Sequence, residues 1–217
     1  MCFSAPASFV AGVGLLLVGS AAVVKSKTVP QYVLSSIPIL FAVQQSLEGV
    51  VWLGLSDPAY AHWLPWAIYL FLGFAQLVWP ILVPLAILLF EKEPVRRKFL
   101  LVFLGIGILT AAYLGYALLN FEATAKIQEH HIQYALQFPF QSMLLRGIPY
   151  MLATAVSPFF SSHKQLRLLG WVLVGSYIFT ALIYWQYLTS VWCYFGALLS
   201  SLILFIIIKL NKEVEIR

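Results

Sequence analysis

The sequence predicts an all-α integral membrane protein, a bundle of seven transmembrane helices with its amino terminus outside and its carboxyl terminus in the cytoplasm. Three observations carry this. Seven apolar runs are each long enough to cross a bilayer, which takes about 20 residues. Of the 217 residues 62% are hydrophobic and only 10% charged, with a mean hydropathy of +0.91, too few charges to clothe a soluble domain of this size. The basic residues collect in alternate loops, which sets orientation.

The predicted spans cover residues 7–24, 30–54, 62–90, 99–119, 139–160, 165–187 and 190–210, in one domain over 1–217. No basic residue precedes Lys25, so the first run reads as a span and not as a signal peptide. The third run is long enough to need a tilt or a bend, and Pro80 and Pro84 offer one. Lys25 and Lys27 follow the first run; Lys92, Arg96, Arg97 and Lys98 follow the third; Lys164 and Arg167 follow the fifth; Lys209, Lys212 and Arg217 close the chain. These make 11 of the 13 basic residues, and the positive-inside rule places them in the cytoplasm. Trp52, Trp63, Trp66, Trp185 and Trp192 then fall near the outer interface as an aromatic belt.

One loop is long. Residues 120–138 contain Ile132-Gln133-Tyr134-Ala135-Leu136-Gln137-Phe138, which alternates apolar and polar with a period near two and predicts a short β-hairpin or a lid in the outer loop. Gly107, Ala111 and Gly115, and likewise Ser8 and Gly12, recur every fourth residue as close-packing faces, which serve the bundle or a homodimer. There is no internal repeat, and seven spans do not divide into two equal inverted halves.

Glu48 is the most informative residue. It sits about seven residues inside its run, roughly 10 Å deep at the helical rise. A carboxyl at that depth is paired, neutral or facing water. Phe41, Gln45, Glu48 and Trp52 share one helical stripe, which should face the bundle interior. Arg146 lies at a matching depth in the fifth run and is the expected partner of Glu48. The bland alternative is an ion pair that only fixes helix positions. The functional reading is an outward-opening site lined by Glu48, Gln45, Trp52, Arg146, Tyr150 and Trp192. His62, His130 and His131 lie on the same side, but their spacing is unspecific and adjacent strand histidines point apart, so no metal is expected. Cys2 and Cys193, the only cysteines, both fall at the outer surface, where a disulfide is allowed.

Several chemistries are set aside. No histidine lies at mid-membrane depth for haem, the last run has no central lysine for retinal, and no Gly-x-Ser-x-Gly elbow or nucleotide-binding loop occurs. No cofactor and no nucleic-acid partner are expected.

Met1-Cys2-Phe3-Ser4-Ala5, Ile37-Pro38, Gln44-Gln45, Glu48-Gly49-Val50-Val51-Trp52, Trp79-Pro80 with Pro84, Ser161-Ser162-His163 and Ser190-Val191-Trp192-Cys193-Tyr194-Phe195 run from end to end of the chain. With them the sequence resembles an uncharacterised family of bacterial multi-pass membrane proteins that begin Met-Cys-Phe-Ser. The resemblance implies the bacterial inner membrane and supplies no mechanism. Three functions remain: a protein that binds or transports a small molecule or lipid, a membrane-embedded enzyme acting on a lipid or quinone, and a sensor or scaffold subunit without chemistry.

Overall fold

In the computed structural model, which describes residues 4–137 and 143–215 apart from the side chains of 143–146 and 213–215, the first five α-helices begin where the sequence supplies a cap or a proline. Helix α1 (Ala5–Lys25) starts at Ser4, whose hydroxyl accepts from the Ala7 amide at 3.4 Å. Helix α2 (Val29–Ser56) starts with Pro30 in its first turn and carries Pro38 inside it. The third run is composite. A 3-10 turn (Pro58–Trp63) leads into α3 (Leu64–Gly73), a π turn (Phe74–Val78) and α4 (Trp79–Phe90). Pro80 has no amide to offer the carbonyl four residues earlier, so the ladder loosens in the turn before it.

Helix α5 (Pro94–Asn120) starts five residues earlier than the predicted 99. Glu93 caps it by accepting from the amides of Val95 and Arg96 at 2.9 and 2.8 Å. The basic run read as loop is a first helical turn, because long cationic side chains reach water from the end of a membrane helix. Strands β1 (Ala123–Gln128) and β2 (His131–Leu136) form an antiparallel hairpin, with Ala123 opposite Leu136 and Gln128 opposite His131. Helix α6 (Met143–Met151), a π turn (Leu152–Val156) and a 3-10 turn (Ser157–Phe160) follow. Helix α7 (Lys164–Ile183) ends short of the predicted 187, because Tyr184 leaves helical space at φ −124° and ψ 37°. A 3-10 turn (Trp185–Tyr187) leads into α8 (Leu188–Ser200) and α9 (Leu202–Glu215).

Among the described residues six helical stretches are long and apolar enough to cross a membrane: Ala5–Lys25, Val29–Ser56, Pro58–Phe90, Pro94–Asn120, Lys164–Ile183 and Trp185–Lys212. A shorter apolar stretch, Gly147–Phe160, lies between the fourth and fifth of them.

The helices approach closely where small residues meet backbone. A Cβ on Gly107 of α5 would land on the carbonyl oxygen of Pro80 in α4. In an unbroken helix that oxygen would accept the amide of residue 84, and Pro84 has none. Gly12 of α1 likewise packs on Ser46, and Gly19 on Ile39, both in α2. These small-residue faces are covered by the chain's own helices.

The core falls into two clusters. One, with Leu34, Ile37, Leu88, Leu100, Leu166 and Ile207, fills the end that carries the basic loops. The other, with Val51, Phe71, Leu72 and Leu118, fills the opposite end and takes in Ile132 of the hairpin.

Candidate functional site

Glu48 is completely buried in α2. The Ser190 hydroxyl at the start of α8 donates to its Oε1 at 2.6 Å, and the Gln45 amide approaches its Oε2 at 3.4 Å. One turn away, Gln44 Oε1 accepts from the indole of Trp79 at 2.8 Å, and Phe41 stacks on the same indole with centroids 3.8 Å apart. The stripe on α2 therefore ties α2 to α8 and to α4. The Arg146 side chain lies outside the described residues, and with it the expected pair with Glu48.

Two cavities lie beside this stripe. The larger, a vestibule of about 370 Å³, has the hairpin as one wall through Tyr134, Ala135 and Leu136. Gln76, Tyr177, Gln186 and Thr189 supply its other polar groups. The smaller, about 60 Å³, is a nearly apolar chamber that reaches down to Leu34 and Ile203. Tyr150, Trp192 and Cys193 line both.

The shared wall is fixed on one side. The Tyr150 hydroxyl donates to the Ala75 carbonyl at 2.6 Å, inside the π turn whose ladder is already loosened. Trp192 stands between Tyr150 and Tyr177, with edge contacts at 5.7 and 5.3 Å, and its indole donates to Ser176 at 3.3 Å. Of the predicted site residues, Tyr150 and Trp192 thus reach the cavities. Glu48, Gln45 and Trp52 are buried behind them and line neither.

The tryptophan belt is smaller than expected. Trp63, Trp66 and Trp185 are each more than half exposed, whereas Trp52 and Trp192 turn into the bundle. Cys193 is a free, buried thiol that lies against Gln44 and Glu48, because its face of α8 turns to α2. Cys2, the other half of the expected bridge, lies outside the described residues.

The histidines are separate. His62 is exposed beside Trp63, and His130 is exposed at the hairpin turn. His131 is not an interfacial loop residue: it is buried against the rings of Tyr184 and Tyr187, at 5.1 and 4.7 Å. Burial there pushes its imidazole below the ordinary histidine value. Among the described residues no three His, Cys, Asp or Glu side chains converge as metal ligands do.

The opposite end holds a network that the motifs hinted at without explaining. Glu91, almost fully buried after α4, accepts four hydrogen bonds. They come from the amides of Lys92 and Glu93 at 3.0 Å each, from the Ser162 amide at 2.6 Å and from the Ser162 hydroxyl at 2.8 Å. Burial alone would raise its pKa, but these bonds outweigh burial and hold it below the ordinary carboxylate value. Arg97 caps the end of α4 by donating to the Glu91 carbonyl at 2.8 Å, and Arg167 donates to the Ser161 carbonyl at 2.9 Å. A second clasp joins the facing ends of α1 and α2 to the last helix: Gln31 donates to Asn211 at 2.9 Å, and Asn211 donates to the Lys25 carbonyl at 2.7 Å.

Sequence reasoning missed Gln76, the one amide in the third run, which was signal enough to find it. It also missed Glu91, which looks like an ordinary loop acid among lysines. No curated protein and no solved structure matches the chain. A model described as a family of unknown function (DUF6629) matches residues 1–216, and the chain belongs to that family.

Proposed function

We propose that the chain crosses the inner membrane of a bacterium seven times, with its amino terminus outside, and binds a small molecule or lipid in the vestibule beneath the outward-facing hairpin. The vestibule itself carries this reading: about 370 Å³ with polar groups and aromatic rings around a mostly apolar lining, the usual make-up of a ligand site.

Two contacts support the seventh crossing. The loop after α4 and the loop before α7 join through Glu91 and Ser162, while the hairpin packs against the other end of α7 through His131 and Tyr184. A stretch between hairpin and clasp that traverses the bundle fits both contacts. The clasp end carries Lys92, Arg96, Arg97, Lys98, Lys164 and Arg167, which the positive-inside rule sends to the cytoplasm.

In this reading Tyr150 and Trp192 touch the ligand. Glu48 and Gln45 act from behind, fixing α8 through Ser190. Mass spectrometry of the full chain, extracted in its native lipid, tests it. The wild type should retain a bound molecule that Thr189→Trp, which intrudes on the vestibule, loses while keeping its helical circular dichroism and its elution as a folded protein. Identical bound species in the two proteins would overturn the assignment.

A further inference from the structure

We propose that the vestibule and the chamber hold one ligand, a single-chain amphiphile with a neutral, hydrogen-bond-donating head. The proposal rests on the vestibule being a binding site and names what it takes.

Three observations converge. First, the two spaces differ in chemistry and share a wall. The vestibule offers the neutral polar groups of Gln76, Tyr177, Gln186 and Thr189 beside the rings of Tyr134 and Trp185. The chamber offers Leu34, Ile37, Ile87, Leu169, Leu173 and Ile203. A molecule that satisfies both has a polar end and an apolar end. At about 60 Å³ the chamber has room for a stretch of one alkyl chain and not two.

Second, Gln76 Oε1 is buried and has no hydrogen-bond partner among the described residues. A buried acceptor left without a donor is costly, so native proteins keep one where something else supplies the donor. Gln76 lines the vestibule from the π turn, but its Oε1 is turned away from the open space, so the amide has to rotate about its end to meet a hydroxyl or N–H on the ligand head.

Third, the wall is fastened unequally. Tyr150 is held by a 2.6 Å bond to backbone, whereas Trp192 has a 3.3 Å bond to a serine hydroxyl. Trp192 is the side chain that swings aside for the chain of the ligand, and its aromatic neighbours Tyr150 and Tyr177 give it a surface to move along.

The probe is a 1-monoacylglycerol brominated along its chain, titrated into the full-length protein in phosphatidylcholine nanodiscs and read by tryptophan fluorescence. Trp79 lines the chamber and Trp192 its wall, so bromine inside the chamber quenches both. The expected result is a saturable component with the monoacylglycerol, added to the non-saturating quenching of the exposed Trp63, Trp66, Trp171 and Trp185, and the non-saturating part alone with phosphatidylcholine brominated at the same carbons. Val83→Phe and Leu173→Phe, which narrow the chamber, should each remove the saturable component. Gln76→Leu should weaken it about fivefold, the equivalent of one net hydrogen bond. Equal, non-saturating quenching by the two lipids in the wild type would overturn the proposal even where a chamber variant fails to fold. So would saturable quenching that Val83→Phe and Leu173→Phe leave untouched. If Thr189→Trp removes a co-purifying molecule and the monoacylglycerol shows no saturable quenching, the vestibule stands as a binding site and the amphiphile does not.

Discussion

Among the described residues two carboxyl groups are buried, in opposite halves of the molecule, and each is explained by what donates to it. Glu91 is held as a carboxylate by geometry: four N–H and O–H groups point at it, two of them from Ser162, 71 residues away in sequence. Because its folded pKa lies below the unfolded value, the stability it contributes is present above the ordinary carboxylate pKa. That stability is lost as pH falls through the folded value. Thermal denaturation from neutral to acid pH should show this loss in the wild type and not in Glu91→Gln. A wild-type curve that tracks the variant's across that range would contradict the assignment. Glu48 is the other case. Glu48→Ala strands the Ser190 hydroxyl in a dry space and should cost on the order of 3 kcal/mol in denaturant titration, with Ser190→Ala costing less. The importance of Glu48 was legible in the sequence because an acid inside an apolar run has no ordinary explanation. Glu91 was not legible, because its burial comes from a loop that only the fold brings to it.

At the scale of elements, prolines and glycines work as pairs. Pro84 frees the Pro80 carbonyl, and Gly107 lets α5 lie directly on it. Gly107→Ala forces the two helices apart and should destabilise by about 1–3 kcal/mol, as overpacking does. Gly105→Ala, whose Cβ meets nothing within 4 Å, should be neutral in the same denaturation assay. The four-residue spacing announced the small face of α5; which backbone atom it meets depended on a proline break in another helix. The hairpin is held by Tyr134 stacked on Phe71, with centroids 4.7 Å apart, and by His131 between two tyrosines. Since burial favours the neutral imidazole, hairpin docking should weaken as pH falls below the ordinary histidine value. Hydrogen exchange of the β2 amides would report it, and His131→Phe should remove the pH dependence. The period-two alternation was visible over β2. Strand β1 was harder to see, because Ala123-Thr124-Ala125-Lys126 carries little alternation, and its register comes from pairing with β2.

At the scale of the molecule, the two ends do different things. The basic end is stitched by side chains to backbone, through Glu91, Arg97, Arg167, Gln31 and Asn211, and has its apolar core packed beneath the stitches. The hairpin end is roofed over a vestibule. Hydropathy and charge alternation anticipated this asymmetry, but the vestibule itself is assembled from Gln76, Tyr134, Tyr177 and Thr189, which lie far apart in sequence and share no motif. An outward-facing vestibule requires the hairpin and the clasp to lie on opposite sides of the membrane, which in turn requires the stretch through α6 to cross. Cysteines added one at a time to a Cys2→Ser background, in which only the buried Cys193 remains, test this directly, one at Glu129 in the hairpin turn and one at Lys164 beside the clasp. In intact cells expressing the full chain, a membrane-impermeant maleimide should label Glu129→Cys, and should label Lys164→Cys only after the membrane is opened. Labelling of both positions from the same side would contradict the seven-span account and the outward-facing site with it.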